Sequence, residues 1–203
     1  MIVRQIKEHG DNFSYVLFDE VSKEGAVIDP SYNAQPIIDL VRHEGINVKY
    51  IIATHSHNDH VAGVSELKGQ LNARVAAFRD SPIEKEVELT HGSVLRIGKE
   101  SLKVIYTPGH SKDSISILAR GAIFTGDTLF VGECGRTDLY DGDPKQMYSS
   151  LFFELMSLDD DILVYPGHDY GKKPFSTIGE ERKSNYTLRR RSLDEFIRFM
   201  NEP

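Results

Sequence analysis

Five of the eight histidines in this 203-residue chain lie in three short loops, and each loop follows a strand-like segment. The first loop, Thr54–His60, brings three imidazoles and a carboxylate into six residues: His55, His57, Asp59 and His60. Imidazole and carboxylate are the ligands that zinc and iron prefer. So many ionisable groups directly after an apolar strand would be costly without a cation to balance them. The spacing therefore predicts a metal centre.

Two further histidines and a second carboxylate extend the candidate ligand set. His110 and His168 each follow a Pro-Gly pair, which indicates a loop of specific shape. Asp127 follows another strand-like run, but its Gly-Asp pair is also a simple turn signal. Its role as a ligand therefore depends on the rest of the set. The isolated histidines are interpreted as ordinary structural residues: His9, His43 and His91.

Strand-like segments precede each of these loops, and Gly, Pro and short polar turns separate them. The predicted strands cover residues 2–6, 14–18, 26–29, 49–53, 74–77, 94–97, 102–106, 114–118, 122–124 and 162–165. Strand ends on a rigid sheet hold side chains in fixed directions, so ligands from several strand ends can converge on one point.

Helical patterns lie between the strands. Residues 34–44 have the apolar spacing of a helix that ends at Gly45. One helix face is formed by Val61, Val64, Leu67 and Leu71. Another helix is predicted to begin near Asp143, where Pro144 would be its first residue, and a capping box at Ser192 precedes the last helix. Strands with interspersed helices predict a layered fold of packed sheets covered by helices.

Composition and charge exclude several classes of partner. The net charge of −7 disfavours nucleic acid, whose phosphates require a basic face. No signal-peptide pattern opens the chain, and no run approaches the roughly 20 apolar residues of a membrane helix. The single cysteine, Cys134, excludes an internal disulfide and is expected to pack rather than react. These features predict a cytoplasmic protein that binds neither nucleic acid nor membrane.

The motifs resemble those of the metallo-β-lactamase superfamily and occur in the same order along nearly the whole chain. They are Thr54–His60 and residues 107–110, 126–127 and 166–168. The resemblance implies an α+β fold, a four-layer αββα sandwich with the metal in a cleft at one edge of the two sheets. It also implies that residues 1–203 form one domain, with a short C-terminal helix at about 192–200 instead of a separate helical domain.

Within this superfamily the chain is most similar to the glyoxalase II and persulfide dioxygenase branch. Three segments resemble the persulfide dioxygenases of this branch rather than glyoxalase II. They are Cys-Gly-Arg-Thr-Asp at 134–138, His-Asp-Tyr at 168–170, and residues 176–185 with the final helix. The short stretch after Lys183 agrees, because glyoxalase II carries an extra C-terminal helical domain that contacts glutathione. Leu139 departs from the family pattern, which often has an aromatic residue there.

The resemblance leaves two mechanisms open. In the first, one Fe(II) is held by His55, His110 and Asp127, and O₂ oxidises the outer sulfur of a thiol persulfide to sulfite. The remaining candidates, His57, Asp59, His60 and His168, would then orient ligands and waters.

In the second mechanism, two zinc ions or a mixed pair share the whole set and activate a water that attacks a thioester. The first metal would take His55, His57 and His110, and the second Asp59, His60 and His168, with Asp127 as the bridge. Asp59 would also be the catalytic proton acceptor.

The resemblance makes Arg136 and Tyr170 the candidate contacts to a small, glutathione-like thiol substrate. Arg136 could grip a carboxylate with two hydrogen bonds, or it could instead pair with Asp138 or Asp141. Tyr170 could instead pack behind the His168 loop. Basic runs at 172–173, 182–183 and 189–191 could attract an anionic thiol, although such runs are more often solvated surface. The sequence also leaves a homodimer open.

Overall fold

The strands form two sheets that pack face to face. The computed structural model describes residues 1–7 and 10–202, and twelve strands are found within them. The first sheet has the order β1 (Ile2–Lys7), β2 (Phe13–Phe18), β3 (Glu24–Ile28), β4 (Asn47–Ile52), β5 (Arg74–Phe78) and β6 (Val87–Leu89). The second has the order β12 (Ser176–Thr177), β11 (Leu163–Pro166), β10 (Ala122–Gly126), β9 (Ile115–Ala119), β8 (Glu100–Tyr106) and β7 (Val94–Ile97).

Helices connect the strands and cover the outer faces of both sheets. The α-helices are α1 (Gln35–Glu44), α2 (Asn58–Val61), α3 (Val64–Leu71), α4 (Pro144–Ser149), α5 (Ile178–Ser184) and α6 (Leu193–Asn201). A π-helical turn at Ser150–Glu154 and a 3₁₀ turn at Leu155–Ser157 continue α4, and a second 3₁₀ turn spans Tyr186–Leu188.

The helix boundaries follow their capping chemistry. Gly45 ends α1 in the left-handed conformation, with φ 65°. The Asp143 side chain accepts hydrogen bonds from two N–H groups in the first turn of α4. The predicted capping box of Ser192 and Glu195 is present at the start of α6.

Side-chain alternation along the strands divides the core into three layers. In β2, Phe13, Tyr15 and Leu17 point into the layer between the sheets, whereas Val16 and Phe18 point to the layer under α1 and α3. The strand is buried on both faces because each face is covered. A third apolar layer lies between the second sheet and the segment that contains α4, α5 and α6. These layers confirm the αββα sandwich.

The two sheets bring four strand ends to one edge. In the first sheet β3, β4 and β5 run parallel. In the second, β8 and β10 both pair antiparallel with β9, and β10 pairs parallel with β11, so these three run in one direction. The carboxyl ends of β4, β8, β10 and β11 lead into the four loops that carry the predicted ligands.

Backbone hydrogen bonds join the sheets at this edge. The Ile115 N–H donates to the Thr54 carbonyl, and the Phe13 N–H donates to the Gly167 carbonyl, both at 2.8 Å. Since Thr54 and Gly167 flank the predicted ligands, these bonds fix the ligand loops of one sheet against the other sheet.

The predicted strands and helices are present, with boundaries that differ by at most three residues. The predicted helix face that included Val61 is divided, because Val61 lies in α2 and α3 begins at Val64. Two strands and two α-helices were not predicted: β6, β12, α2 and α5. Within the described part of the chain, no helix is long and apolar enough to span a membrane. The single domain, the cytoplasmic location and the homodimer stay predictions.

Candidate metal centre

The seven predicted ligand side chains meet in one cleft at the edge of the sandwich. The loop after β4 supplies His55, His57, Asp59 and His60, and α2 begins within it. The loops after β8, β10 and β11 supply His110, Asp127 and His168. Because four strand ends meet here, residues that are distant in the sequence lie within hydrogen-bonding distance.

Three imidazoles form a first cluster. His57 Nδ1 lies 3.1 Å from His55 Nε2 and 2.9 Å from His110 Nε2. The ligand atoms of these three residues all lie within 4.8 Å of one another. Three ring nitrogens that converge in this way match the ligands of one metal ion.

A second cluster combines two imidazoles with a carboxylate. His60 Nε2 lies 3.2 Å from His168 Nε2, and Asp59 Oδ2 lies 3.5 Å from the former and 3.4 Å from the latter. These atoms also fall within the spacing that one ion requires.

Asp127 lies between the two clusters. Its Oδ2 is 3.5 Å from His110 Nε2 and 3.3 Å from His168 Nε2, and 4.0 Å from His55 Nε2. Its Oδ1 is buried, and no donor in residues 1–7 or 10–202 meets that oxygen in hydrogen-bonding geometry, although His60 Nε2 is 3.3 Å away. A buried carboxylate oxygen without a hydrogen bond is costly, and a metal ion would satisfy it.

Hydrogen bonds behind the cleft fix the tautomer of three histidines. The Nδ1–H groups donate outward: that of His110 to the Arg136 carbonyl at 2.9 Å, that of His60 to Asp29 at 3.1 Å, and that of His168 to Asp11 at 3.1 Å. These partners can only accept, so each Nε2 presents a lone pair to the cleft. This is the arrangement in which histidine binds metals.

Asp29 connects the two clusters from behind. Its carboxylate accepts from the Thr54 N–H at 2.7 Å and from the Thr54 hydroxyl at 2.6 Å, as well as from His60. Because the Thr54 hydroxyl donates its hydrogen bond to Asp29, it acts as the acceptor for His55 Nδ1, at 3.1 Å. One buried carboxylate therefore orients a histidine of each cluster.

The electrostatics of the cleft require a balancing positive charge. Burial opposes ionisation of Asp127, but the facing imidazoles of His60 and His168 hold the pKa of its carboxyl well below the ordinary value. Burial likewise disfavours charge on His168, yet Asp127 and Asp59 raise its pKa to about 10. Without a cation, the cleft holds protons on imidazoles to offset its carboxylates. A metal ion can take the place of those protons.

At two glycines the backbone passes close to side chains of the cleft. A Cβ atom on Gly167 would run into the Asp127 carboxylate and would lie 2.8 Å from His60 Cε1. Gly126 has φ 48°, and a Cβ there would run into the Thr54 hydroxyl. Only glycine leaves room for the ligands at these two positions.

The predicted substrate contacts occupy different positions. Tyr170 stacks on the His168 ring, with centroids 4.8 Å apart and planes 5° apart, and is 49% exposed. Arg136 is exposed and forms two 2.6 Å hydrogen bonds with Asp138, the ion-pair alternative considered from the sequence. Its backbone carbonyl, rather than its side chain, accepts a hydrogen bond from the candidate ligand His110. Both substrate roles stay predictions.

Three further polar residues of the site were not predicted. Asp11 and Asp29 orient histidines, and Asn12 donates to the Asp59 carboxylate at 3.1 Å. Asp29 directly follows β3, so the strand-end rule that found Asp127 could have found it too. His43 lies on α1 and His91 Nδ1 accepts from the Tyr106 N–H, both apart from the cleft, and His9 lies outside the described residues.

Comparison with known proteins places these observations in a family. The family model for the metallo-beta-lactamase superfamily matches residues 9–82 and 76–168. The human mitochondrial persulfide dioxygenase ETHE1 is 33% identical over 192 residues, which are 93% of this chain and 75% of that protein.

A solved structure and a second group of relatives are also similar to this chain. The crystal structure of ETHE1 from Myxococcus xanthus superposes with a TM-score of 0.95 at 34% identity, covering all of this chain and 91% of that one. A hydroxyacylglutathione hydrolase from Synechococcus is 38% identical over 172 residues, covering 79% of this chain and 65% of that enzyme.

Proposed function

This chain belongs to the metallo-beta-lactamase superfamily, and on that premise we propose that it is an iron(II)-dependent dioxygenase that oxidises the persulfide of a small, glutathione-like thiol. The observation that carries the proposal is the extent of its likeness to persulfide dioxygenases, which takes in nearly the whole chain in sequence and in structure. The likeness to the hydrolases takes in less of it.

The proposed iron ligands are His55, His110 and Asp127. Two imidazoles and one carboxylate are the set that iron(II) oxygenases use. Bound there, iron(II) would supply open positions for dioxygen and a sulfur ligand, together with the redox chemistry that dioxygen requires. The outward hydrogen bonds of His55 and His110 support this set, because they leave both Nε2 atoms facing Asp127.

The overall reaction balances without any further reductant. A persulfide R–S–SH, dioxygen and water give the thiol R–SH and sulfite with its protons; the S–S bond breaks, the outer sulfur is oxidised and dioxygen is reduced. The side chains beside the proposed ligands orient substrate and water: His57, Asp59, His60 and His168. Asp59 is well suited to this because Asn12 fixes its Oδ2.

A dinuclear thioester hydrolase is the second candidate, and one observation favours it. The trio of Asp59, His60 and His168 is a complete ligand set, and each member has a hydrogen-bond partner behind it. Two zinc ions or a mixed pair would then be held by the two clusters together with Asp127, and would activate a water for attack on a thioester. Asp59 would be both a ligand and the proton acceptor.

Elemental analysis and oxygen uptake separate the two functions. The dioxygenase predicts about one iron per chain and oxygen consumption with glutathione persulfide, at the rate of sulfite formation. Two zinc ions per chain, no oxygen uptake and release of free thiol from an acylated glutathione would instead establish the hydrolase.

Two variants sharpen this test. In the dioxygenase, His110→Ala removes an iron ligand, so iron content and oxygen uptake are both lost. Asp59→Asn changes only a neighbouring group, so iron stays bound and activity falls by about 10- to 100-fold. In the hydrolase, Asp59→Asn would remove a ligand, and the second metal would be lost with the activity.

A further inference from the structure

The loop after β10, residues 127–136, begins at one predicted metal ligand and ends at the support of another. Asp127 is its first residue, and the carbonyl of Arg136, its last residue, accepts the 2.9 Å hydrogen bond from His110 Nδ1. Gly135 lies against both ligands, because a Cβ atom there would run into the Asp127 carbonyl and would lie 3.2 Å from His110 Nδ1. A shift of this loop would therefore displace both ligands.

Backbone hydrogen bonds close the loop into a hairpin. The Phe130 N–H donates to the Glu133 carbonyl at 2.9 Å, and Leu129 and Cys134 form an antiparallel bridge next to this turn. Gly132, at the tip, has φ 90°, a conformation that favours glycine. Because the two arms are joined, a movement of the tip is transmitted to the ends of the loop, where the ligands lie.

A pair of buried side chains from the C-terminal segment holds the tip of the hairpin. Glu181, on α5, accepts from the Gly132 N–H and from the side-chain amide of Asn185, both at 2.8 Å. The same amide donates to the Glu133 carbonyl at 3.1 Å. Thr187 fixes the orientation of this amide, since its N–H and its hydroxyl donate to Asn185 Oδ1 at 2.9 and 2.6 Å. All three side chains are buried, so water does not compete for these bonds.

The Glu181 carboxylate is an unusual choice for a residue that only packs. It is 2% exposed, and within residues 1–7 and 10–202 no side chain forms an ion pair with it. A buried carboxylate without a cation costs stability, and an apolar side chain of similar size is often the more stable one. A buried polar cluster in which the groups are hydrogen-bonded instead restricts the chain to one arrangement.

We propose that Glu181 and Asn185 are positioning residues of the metal centre, which act through the loop after β10 to hold Asp127 and His110 in the geometry that binds metal. The proposal rests on the proposed function for the identity of these two ligands, which the dioxygenase and the hydrolase share. It gives the segment 176–185 a role in the site, although none of its side chains is a predicted ligand.

Cobalt(II) is the probe, because its visible absorption depends on the number and geometry of its ligands and requires no turnover. Glu181→Leu removes the acceptor for Gly132 and Asn185 and keeps a similar volume. The affinity for cobalt should fall by about 3- to 10-fold, less than for the loss of a group that touches a ligand directly. The absorption bands should shift as well. Competition with a chelator of known affinity measures the first effect, and absorption spectroscopy measures the second.

Two further variants separate positioning from general stability. Glu181→Gln can present one amide oxygen to both donors, so its cobalt affinity and spectrum should match those of the wild type. Glu24→Leu is the matched control, because Glu24 accepts from the Gly98 N–H at 2.9 Å at the start of β3, the end of the sheet away from the ligand loops. It should leave affinity and spectrum unchanged. A folded Glu181→Leu protein with the affinity and spectrum of the wild type would overturn the proposal.

A measurement on the wild type decides the case if Glu181→Leu does not fold. Coupling between two sites is reciprocal, so hydrogen bonds that favour metal binding must themselves be stabilised by bound metal. Loading with zinc(II) should therefore slow hydrogen exchange at the Gly132 N–H by about 3- to 10-fold and leave the Gly98 N–H unchanged, as followed by NMR. No slowing at Gly132, or equal slowing at both amides, would show that the proposal is wrong.

Oxygen uptake by the wild type tests the proposed function separately. If the wild type consumes oxygen with glutathione persulfide and Glu181→Leu binds cobalt as the wild type does, the positioning role is wrong and the dioxygenase stands. If the wild type consumes no oxygen but Glu181→Leu loses cobalt affinity as expected, the positioning role stands and the dioxygenase is wrong. A wild type that bound no cobalt would contradict both.

Discussion

At the scale of single residues, the buried carboxylate of Asp29 organises the cleft from behind. It has φ 49°, in the left-handed region, and this backbone conformation turns its side chain toward Thr54 and His60. Four of the seven candidate ligands could be predicted from their short spacing, and the other three follow strand-like runs. Asp29 was not predicted, because a single aspartate before a proline has no spacing partner, although it follows β3 as Asp127 follows β10.

We predict that Asp29→Asn weakens metal binding by about 10- to 100-fold while the fold is retained. Asparagine tolerates the left-handed conformation and keeps one acceptor, but it cannot accept from Thr54 and His60 with the strength of a carboxylate. Competition with a chelator of known affinity measures the change, and circular dichroism checks the fold.

Asp19→Asn is the matched control for that variant. Asp19 is also a buried aspartate, and it accepts from the backbone N–H groups of Val21 and Ser22, in a turn with no predicted metal ligand. Metal affinity should be unchanged in this variant. An equal loss in both variants would show that Asp29 acts through general stability alone.

Cys134 is predicted to be unreactive in the native protein. Burial raises the pKa of its thiol to about 12, so the thiolate is scarce near neutral pH, and its sulfur packs 3.8 Å from Met200 Sδ. A disulfide reagent at pH 8 should label the unfolded chain at once and the native protein far more slowly. Equal labelling rates in the two states would contradict this.

At the scale of elements, the positions of the ligands follow from the ends of β4, β8, β10 and β11. Each of these strands is long enough to show an apolar pattern, so the strands and the loops after them could be predicted. β6 and β12 have three and two residues, too few to show a period of two, and α2 has four. The packing of the segment after β11 against the loop after β10 could not be predicted, because it joins residues that no local pattern connects.

The turn after β11 gives a prediction at this scale. Gly167→Ala should abolish or strongly reduce metal binding, because the added methyl group meets the Asp127 carboxylate and the His60 ring from a backbone that β11 holds in place. Metal content after purification and reloading measures the effect.

Gly69→Ala is the matched control. Gly69 lies within α3, and a Cβ there meets no atom within 4 Å, so the variant should bind metal normally. It should also be more stable by about 0.5 to 1 kcal/mol, because alanine favours the helix. If both glycine variants bound metal equally well, the steric argument for Gly167 would be wrong.

At the scale of the whole molecule, the cleft joins the two sheets. The predicted ligands come from β4 on one sheet and from β8, β10 and β11 on the other, so a bound metal cross-links the halves of the sandwich. A metal that binds only the folded chain stabilises it by mass action.

Removal of the metal should therefore lower the denaturation midpoint. At a thousandfold excess over Kd the metal contributes about 4 kcal/mol, which corresponds to a fall of about 10 °C in Tm on chelation. Calorimetry with and without chelator measures this. The His55→Ala variant should have the same low Tm with and without chelator. If the chelator did not change the Tm of the wild type, the proposed cross-link would be contradicted.

The separation of the ligands along the chain has a consequence for synthesis on the ribosome. His60 and His168 are 108 positions apart, and the Asp11 that orients His168 is 157 positions from it. The first sheet can be translated in full while the cleft still lacks its partners from β10 and β11. The nascent chain therefore cannot form the complete proposed iron site until the segment through Asp127 has left the ribosome, and Asp127 lacks its neighbour His168 until β11 follows.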